Sequence, residues 1–263
     1  MLKNFYLPTG IFGAVIGVIL QSQVAMAALS SKEIGQLAKN ITVRILTPGS
    51  PGSGIIIGKN DNTYKVLTAR HVVDSIKPGE ESDLETFDGD LHVINTNNIQ
   101  SFGQNWDLAV VEFTTNKSYQ QGDLGDSSSV VVGQNVYVSG FPIATAAMNV
   151  STLNFTEGKL TAVSSRPFDD GYGLAYNNNT LPGMSGGAVL DEEGKVIGVH
   201  GKADVIETKE TADPNIRIKS GNNLAIPINY YLGLAKEIDF DPNTRVTQEP
   251  TADDHYIQAA QKS

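Results

Sequence analysis

The sequence contains no cysteine. Thiolate nucleophiles, thiolate metal sites and disulfides are therefore excluded, and the fold must hold by its core, which a chain of 263 residues can do without staples. Positive charge is scarce: 19 Lys and Arg stand against 29 Asp and Glu, a formal net charge of -10. Such a chain lacks the clustered cations that displace counterions from nucleic acid or hold an anionic membrane surface. Long apolar runs are also missing. Ile11–Leu20 has ten residues, where a bilayer needs roughly 20.

That short run has another meaning. Lys3 precedes it, and Ala25-Met26-Ala27 follows with the small-x-small pattern that signal peptidase prefers. The expectation is a signal peptide over 1–27, cleavage after Ala27, and export to the periplasm or the extracellular space with no stable membrane anchor. An uncleaved anchor or a buried helix is the competing reading.

Glycine is abundant, with 26 residues, many beside short runs of Val, Ile and Leu. That punctuation predicts an all-β protein. Ile41–Leu46 alternates apolar and polar residues. Gly54–Gly58, Tyr64–Thr68, Leu91–Asn95 and Leu108–Phe113 continue the series. After a polar stretch, Thr114–Ser129, further strands are expected at Val136–Ser139, Asn154–Val163, Gly173–Tyr176, Ala188–Leu190, Val196–His200 and Leu224–Ile226. Helical spacing marks Ser31–Lys39, with Ser30 or Ser31 as cap, and Tyr230–Ile238. Beyond Asp239 the composition turns polar, as in a mobile tail.

Three segments carry reactive residues at strand ends: Leu67-Thr-Ala-Arg-His71-Val-Val, Asn105-Trp-Asp107-Leu-Ala-Val-Val and Pro182-Gly-Met-Ser185-Gly-Gly-Ala-Val. A serine hydroxyl needs an imidazole to take its proton, and the imidazole needs a carboxylate to fix its tautomer. The oxyanion formed on attack needs aimed backbone N–H groups, and glycines beside Ser185 suit that geometry. Any one of these residues alone is ordinary. Together, in the order His, Asp, Ser, they specify nucleophilic acyl transfer.

TARHVV, WDLAVV and PGMSGGAV resemble the histidine, aspartate and serine segments of the trypsin-like serine proteases. The helical end after AIPI resembles the bacterial HtrA-like protease domain. The resemblance runs from about Ile41 to about Ile238. It implies a chymotrypsin-like all-β fold of two antiparallel six-stranded β-barrels with a C-terminal helix. It implies a His71, Asp107, Ser185 triad in the cleft between them, and an oxyanion hole from the backbone of Gly183 and Ser185. The organisation expected is a signal peptide 1–27, a helical segment 28–40, a first barrel 41–125, a second barrel with the C-terminal helix 126–238, and a tail 239–263. No cofactor and no metal are called for, and the partners are protein or peptide substrates. The family's digestive members carry Asp immediately before the serine, to pair with a newly cut N-terminus. Met184 cannot, so the site is expected to form directly or under the influence of substrate or partner.

The order Val-Ile-Gly-Val-His200-Gly resembles the glutamyl endopeptidases. In that branch a Thr five residues before the serine and a His fifteen after it bind a substrate Glu. Thr180 and His200 occupy those positions, and neutral Asn179 stands where an acidic residue would make a Lys/Arg pocket. The competing reading is a structural His200 and a loop Thr180. Two other functions stay open: an HtrA-like quality-control protease or chaperone lacking a PDZ domain, since only 25 residues follow Ile238, and a non-catalytic peptide-binding module. His92, His255 and the acidic run Glu80–Asp90 show no metal-ligand spacing.

Overall fold

A computed structural model describes residues 28–103, 105–206 and 218–236. The expected signal peptide, the tail 239–263 and His255 lie outside them. Among the described residues no helix is long and apolar enough to cross a membrane.

Helix α1, Ser31–Ile41, starts at Ser30, whose hydroxyl accepts from the Glu33 amide while the Glu33 carboxylate accepts from the Ser30 amide. This reciprocal cap settles the choice between Ser30 and Ser31. Ile34, Ala38 and Ile41 form its buried face. The chain then runs directly into the first sheet: β1 Thr42–Leu46, β2 Gly52–Asn60, β3 Thr63–Thr68, a one-turn helix α2 Arg70–Val73, β4 Asp83–Glu85, β5 Leu91–Val93, β6 Gln100–Ser101 and β7 Ala109–Thr114. The spatial order is β5-β4-β1-β2-β3-β7-β6. A bridge between Ile94 and Phe113 brings the far end of this sheet back to β7. Cross-strand pairs fix the register. Arg44 lies opposite Glu85 and bonds it at 3.3 Å, and Tyr64 stacks on Phe113 directly across the β3–β7 ladder.

The second sheet is a closed six-stranded barrel, β10-β13-β12-β11-β8-β9. Its strands are β8 Asn135–Gly140, β9 Asn154–Val163, β10 Leu174–Tyr176, β11 Ala188–Leu190, β12 Val196–Ile206 and β13 Ile218–Pro227. Helix α3, Ile228–Lys236, follows. The architecture is thus two antiparallel barrel-like sheets and a C-terminal helix, as the sequence predicts. The first sheet has seven strands rather than six because the acidic run yields short β4 and the chain before Asp107 yields two-residue β6.

Each barrel has its own apolar core, the first around Tyr64, Val66 and Phe113, the second around Val138, Tyr176 and Met184. A third apolar cluster lies between them and under both helices, with Ile41, Ile55, Trp106, Tyr172 and Tyr231. Helix α3 sets Tyr231 edge-on to Phe102 and Tyr230 edge-on to Trp106. It thereby fixes the loop that leads into Asp107.

Candidate active site

His71 sits in α2 between Arg70 and the buried pair Val72 and Val73, which pin the turn to the first barrel. Asp107 stands just before β7 and is 5 % exposed. Asp107 is bonded three times to this turn, twice by His71. The Arg70 amide donates to the Asp107 carbonyl at 3.1 Å, the His71 amide to Asp107 Oδ1 at 2.8 Å, and His71 Nδ1 lies 2.7 Å from Oδ2. A carboxylate acceptor at Nδ1 requires the proton there. In the neutral tautomer this leaves the lone pair on Nε2, on an exposed ring.

A further group completes the carboxylate. Tyr172, from the segment before β10, is fully buried and donates its hydroxyl to Asp107 Oδ2 at 2.5 Å. Two neighbours in the same segment reinforce this. The Asp170 carbonyl accepts the Asp107 amide at 2.9 Å, and Gly171 abuts the Trp106 ring. Burial alone would raise the Asp107 carboxyl. The hydrogen bond and charge of His71, then the Tyr172 hydroxyl and the His71 amide, outweigh it and hold the group below its ordinary value. Burial first, and the Asp107 charge next, push the Tyr172 phenol far up, so it stays a neutral donor.

Ser185 lies on the second barrel, in the loop before β11. Its Oγ donates to the Gly201 carbonyl at 2.6 Å, not to His71. Gly201 adjoins Tyr172 so closely that an added Cβ would fall 2.0 Å from the phenol oxygen. One residue thus touches both the nucleophile and the group that supports the carboxylate.

The five carbonyls of the loop around Ser185 are all bonded. Leu181 accepts from the Met184 amide, Pro182 from Ile143, Gly183 from the Ser53 hydroxyl, Met184 from Gly187, and Ser185 from the Ser53 amide. Among the described residues, the Gly183 and Ser185 amides donate to no other group. Gly183 has φ +96, a conformation that glycine adopts without penalty. Met184 is fully buried in the second core. Apolar burial therefore anchors this loop at the position where an ion pair had been the family's alternative.

Of the three residues expected in the specificity pocket, Asn179 is exposed, while Thr180 and His200 are buried. Thr180 donates to Asn223 Oδ1 at 2.6 Å, and Asn223 donates to the Asn178 carbonyl at 2.6 Å. His200 Nδ1 lies 2.6 Å from the Tyr176 hydroxyl. Burial, then the nearby His71 charge, push the His200 imidazole down to about 3, so it is neutral. His92 bonds Tyr119 in the first barrel, away from these groups. The sequence reading had missed Tyr172, Ser53, Asn223 and Tyr176. None lies in a recognisable motif, and each reaches the site only through the fold.

Comparison with known proteins places the fold in a family. The family described as the trypsin-like peptidase domain matches residues 52–199. A protein named serine protease HtrA-like from Staphylococcus aureus strain MRSA252 is 29% identical over 201 residues, covering 72% of this chain and 23% of the relative. Its counterpart in strain USA300 is 28% identical with the same coverage. The chain thus spans about a quarter of the length of these relatives. Among solved structures, the HtrA-type protease AlgW with a tripeptide superposes with a TM-score of 0.61 at 22% identity, covering 80% of this chain and 64% of that one. That likeness concerns the fold.

Proposed function

The chain belongs to the trypsin-like peptidase domain family, and from that premise we propose that it is an exported serine endopeptidase using His71, Asp107 and Ser185. The observation that carries this reading is the His71–Asp107 pair on the first barrel, together with a Ser185 loop on the second in which the Gly183 and Ser185 amides donate to no other group among the described residues. Ser185 leaves the Gly201 carbonyl and attacks the scissile carbonyl carbon while its proton passes to His71 Nε2. The amides of Gly183 and Ser185 receive the oxyanion, a contribution worth about 100-fold or more per donor. Collapse expels the amine, which takes the proton from His71. Water, activated by the same imidazole, then releases the acyl group from Ser185.

Purified chain and its Ser185→Ala variant, incubated with a diverse peptide library and read by mass spectrometry, test this. Cleavage present in the first and absent in the second is expected. Unchanged cleavage by the variant overturns the mechanism, and no cleavage by either favours a peptide-binding module. Binding of unfolded proteins by the Ser185→Ala variant, beside faster cutting of unfolded than folded proteins by the wild type, would support an HtrA-like quality-control role.

Preference for Glu before the scissile bond is the narrower proposal. Buried Thr180 and His200, one on each side of Ser185 in sequence, support it. A neutral His200 offers hydrogen bonds but no charge, and the Thr180 proton is directed to Asn223. A bound carboxylate would raise the imidazole, so preference for Glu over Gln should be strongest at acidic pH and fade as pH rises. A ratio independent of pH counts against His200 as the reader.

A further inference from the structure

We propose that Ser53 is a positioning residue of the oxyanion hole, a hydroxyl of the first barrel that holds the nucleophile loop of the second. The inference rests on the protease reading above and deepens it.

Ser53 lies in β2, fully buried, and every polar atom it has is used. Its Oγ donates to the Gly183 carbonyl at 2.9 Å and accepts from the Phe141 amide at 2.8 Å. Its amide donates to the Ser185 carbonyl at 2.7 Å, and its carbonyl accepts the Thr68 hydroxyl at 2.7 Å. It therefore grips the loop on both sides of Met184 and ties it to the strand end that precedes His71.

The direction of each amide follows from the carbonyl of the same peptide. No peptide here is cis, so C=O and N–H point opposite ways. The Pro182 carbonyl is held by the Ile143 amide, which turns the Gly183 N–H the other way. The Met184 carbonyl is held by the Gly187 amide, which does the same for the Ser185 N–H. The Gly183–Met184 peptide lies between these two. Its carbonyl is the only one of the five from Leu181 to Ser185 that a side chain holds, among the described residues. The other four depend on backbone that almost any sequence supplies.

Gly183 is also where the loop is softest. A glycine at φ +96 can move to other regions at little steric cost, and a turn of the adjoining peptides would aim a carbonyl into the space the oxyanion needs. Met184, buried in the second core, restrains the loop from one side. Ser53 restrains it from the other, at the peptide that carries the flexible residue.

The test compares wild type, Ser53→Ala and Ser53→Cys, the last keeping the size with a weaker donor. Three quantities are read: kcat and KM on a cleaved peptide, inhibition by the matching peptide aldehyde, and affinity of the uncleaved peptide in the Ser185→Ala background. The aldehyde adds Ser185 Oγ to its carbonyl and presents a tetrahedral oxygen to the hole, whereas the uncleaved peptide does not. Ser53→Ala should lower kcat by about tenfold to hundredfold, less than or comparable to loss of a whole donor. Aldehyde affinity should fall by a similar factor, KM and ground-state affinity should stay within about twofold, and Ser53→Cys should lie between. If the alanine variant does not fold, the same split between aldehyde and peptide in the cysteine variant decides. Unchanged kcat and aldehyde affinity overturn the inference and leave the protease reading intact. So does an equal loss for aldehyde and uncleaved peptide, which marks a merely structural role. Wild type without Ser185-dependent cleavage takes down both.

Discussion

The two barrels build their halves of the site by different means. The first supplies His71 and Asp107 as a pair bonded through side chains and backbone, with the base already in its tautomer. The second supplies Ser185 on a loop whose order comes from bonded carbonyls, with the Ser185 hydroxyl resting on Gly201. Neither half is complete alone. The second barrel sends the Tyr172 hydroxyl to the first barrel's aspartate, and the first sends the Ser53 hydroxyl to the second barrel's loop. This exchange makes the geometry depend on docking of the barrels, which the apolar cluster around Ile55, Trp106 and Tyr172 secures.

The largest test of the contrast is Asp107→Asn. It keeps the shape but forfeits the carboxylate that fixes the His71 tautomer, and kcat should fall by about 10⁴. Retention of most activity would separate the pair from the chemistry.

Next is Tyr172→Phe, which removes one donor from Asp107 Oδ2 and nothing from the first barrel itself. A loss of about tenfold in kcat is expected, in line with about 1.5 kcal/mol at the low end for a hydrogen bond to a charged group. With the donor gone, more negative charge rests on the carboxylate and the imidazolium is favoured. The acid limb of kcat/KM should therefore move to higher pH. An unmoved limb would reduce Tyr172 to packing.

Gly201→Ala attacks the point where the halves meet. The new methyl collides with the Tyr172 oxygen, so that ring must shift. Lower melting temperature and lower kcat are expected together, and a fully active, equally stable variant would break the link drawn between Gly201 and Tyr172.

The smallest effects are in the pH dependence of stability, where a perturbed carboxyl outside the site can be taken from each barrel, the two shifted in opposite senses. At Asp88 in the first, burial would raise the group, but bonds from Thr86 and Lys117 lower it to about 2. Its contribution is present above the ordinary Asp value and lost as pH falls toward 2. At Asp191 in the second, burial raises the group to about 6 despite the Lys195 amide. The folded state there holds its proton longer than the unfolded chain, so stability declines as pH rises from about 4 to about 6. Denaturant melts of Asp88→Asn and Asp191→Asn across pH 2–7 check the two slopes. Each variant should lose only its own.

Strands with clear alternation or apolar runs were readable in the chain, as at Asn154–Val163 and Ala188–Leu190, whose bounds coincide with β9 and β11. The short strands β4 and β6 were not, because two or three residues carry no period. β12 and β13 extend beyond their apolar centres because ladder bonds continue through polar residues such as Lys202 and Asn223. His71, Asp107 and Ser185 stood out because each lies in a short motif with a chemical reason for its neighbours. Tyr172 and Ser53 did not, since a lone Tyr after a turn and a Ser between glycines have many ordinary explanations.

By itself, the sequence determined the β architecture, the three reactive side chains and the want of any thiol chemistry. Those properties follow from residue type and local pattern. Only the tertiary structure decided which hydroxyl supports Asp107, what Ser185 rests on, how the loop at Gly183 is held and which groups Thr180 and His200 bond. These depend on hydrogen bonds between residues 16 to 130 positions apart, made across the two barrels or within the closed second one, which no local pattern encodes.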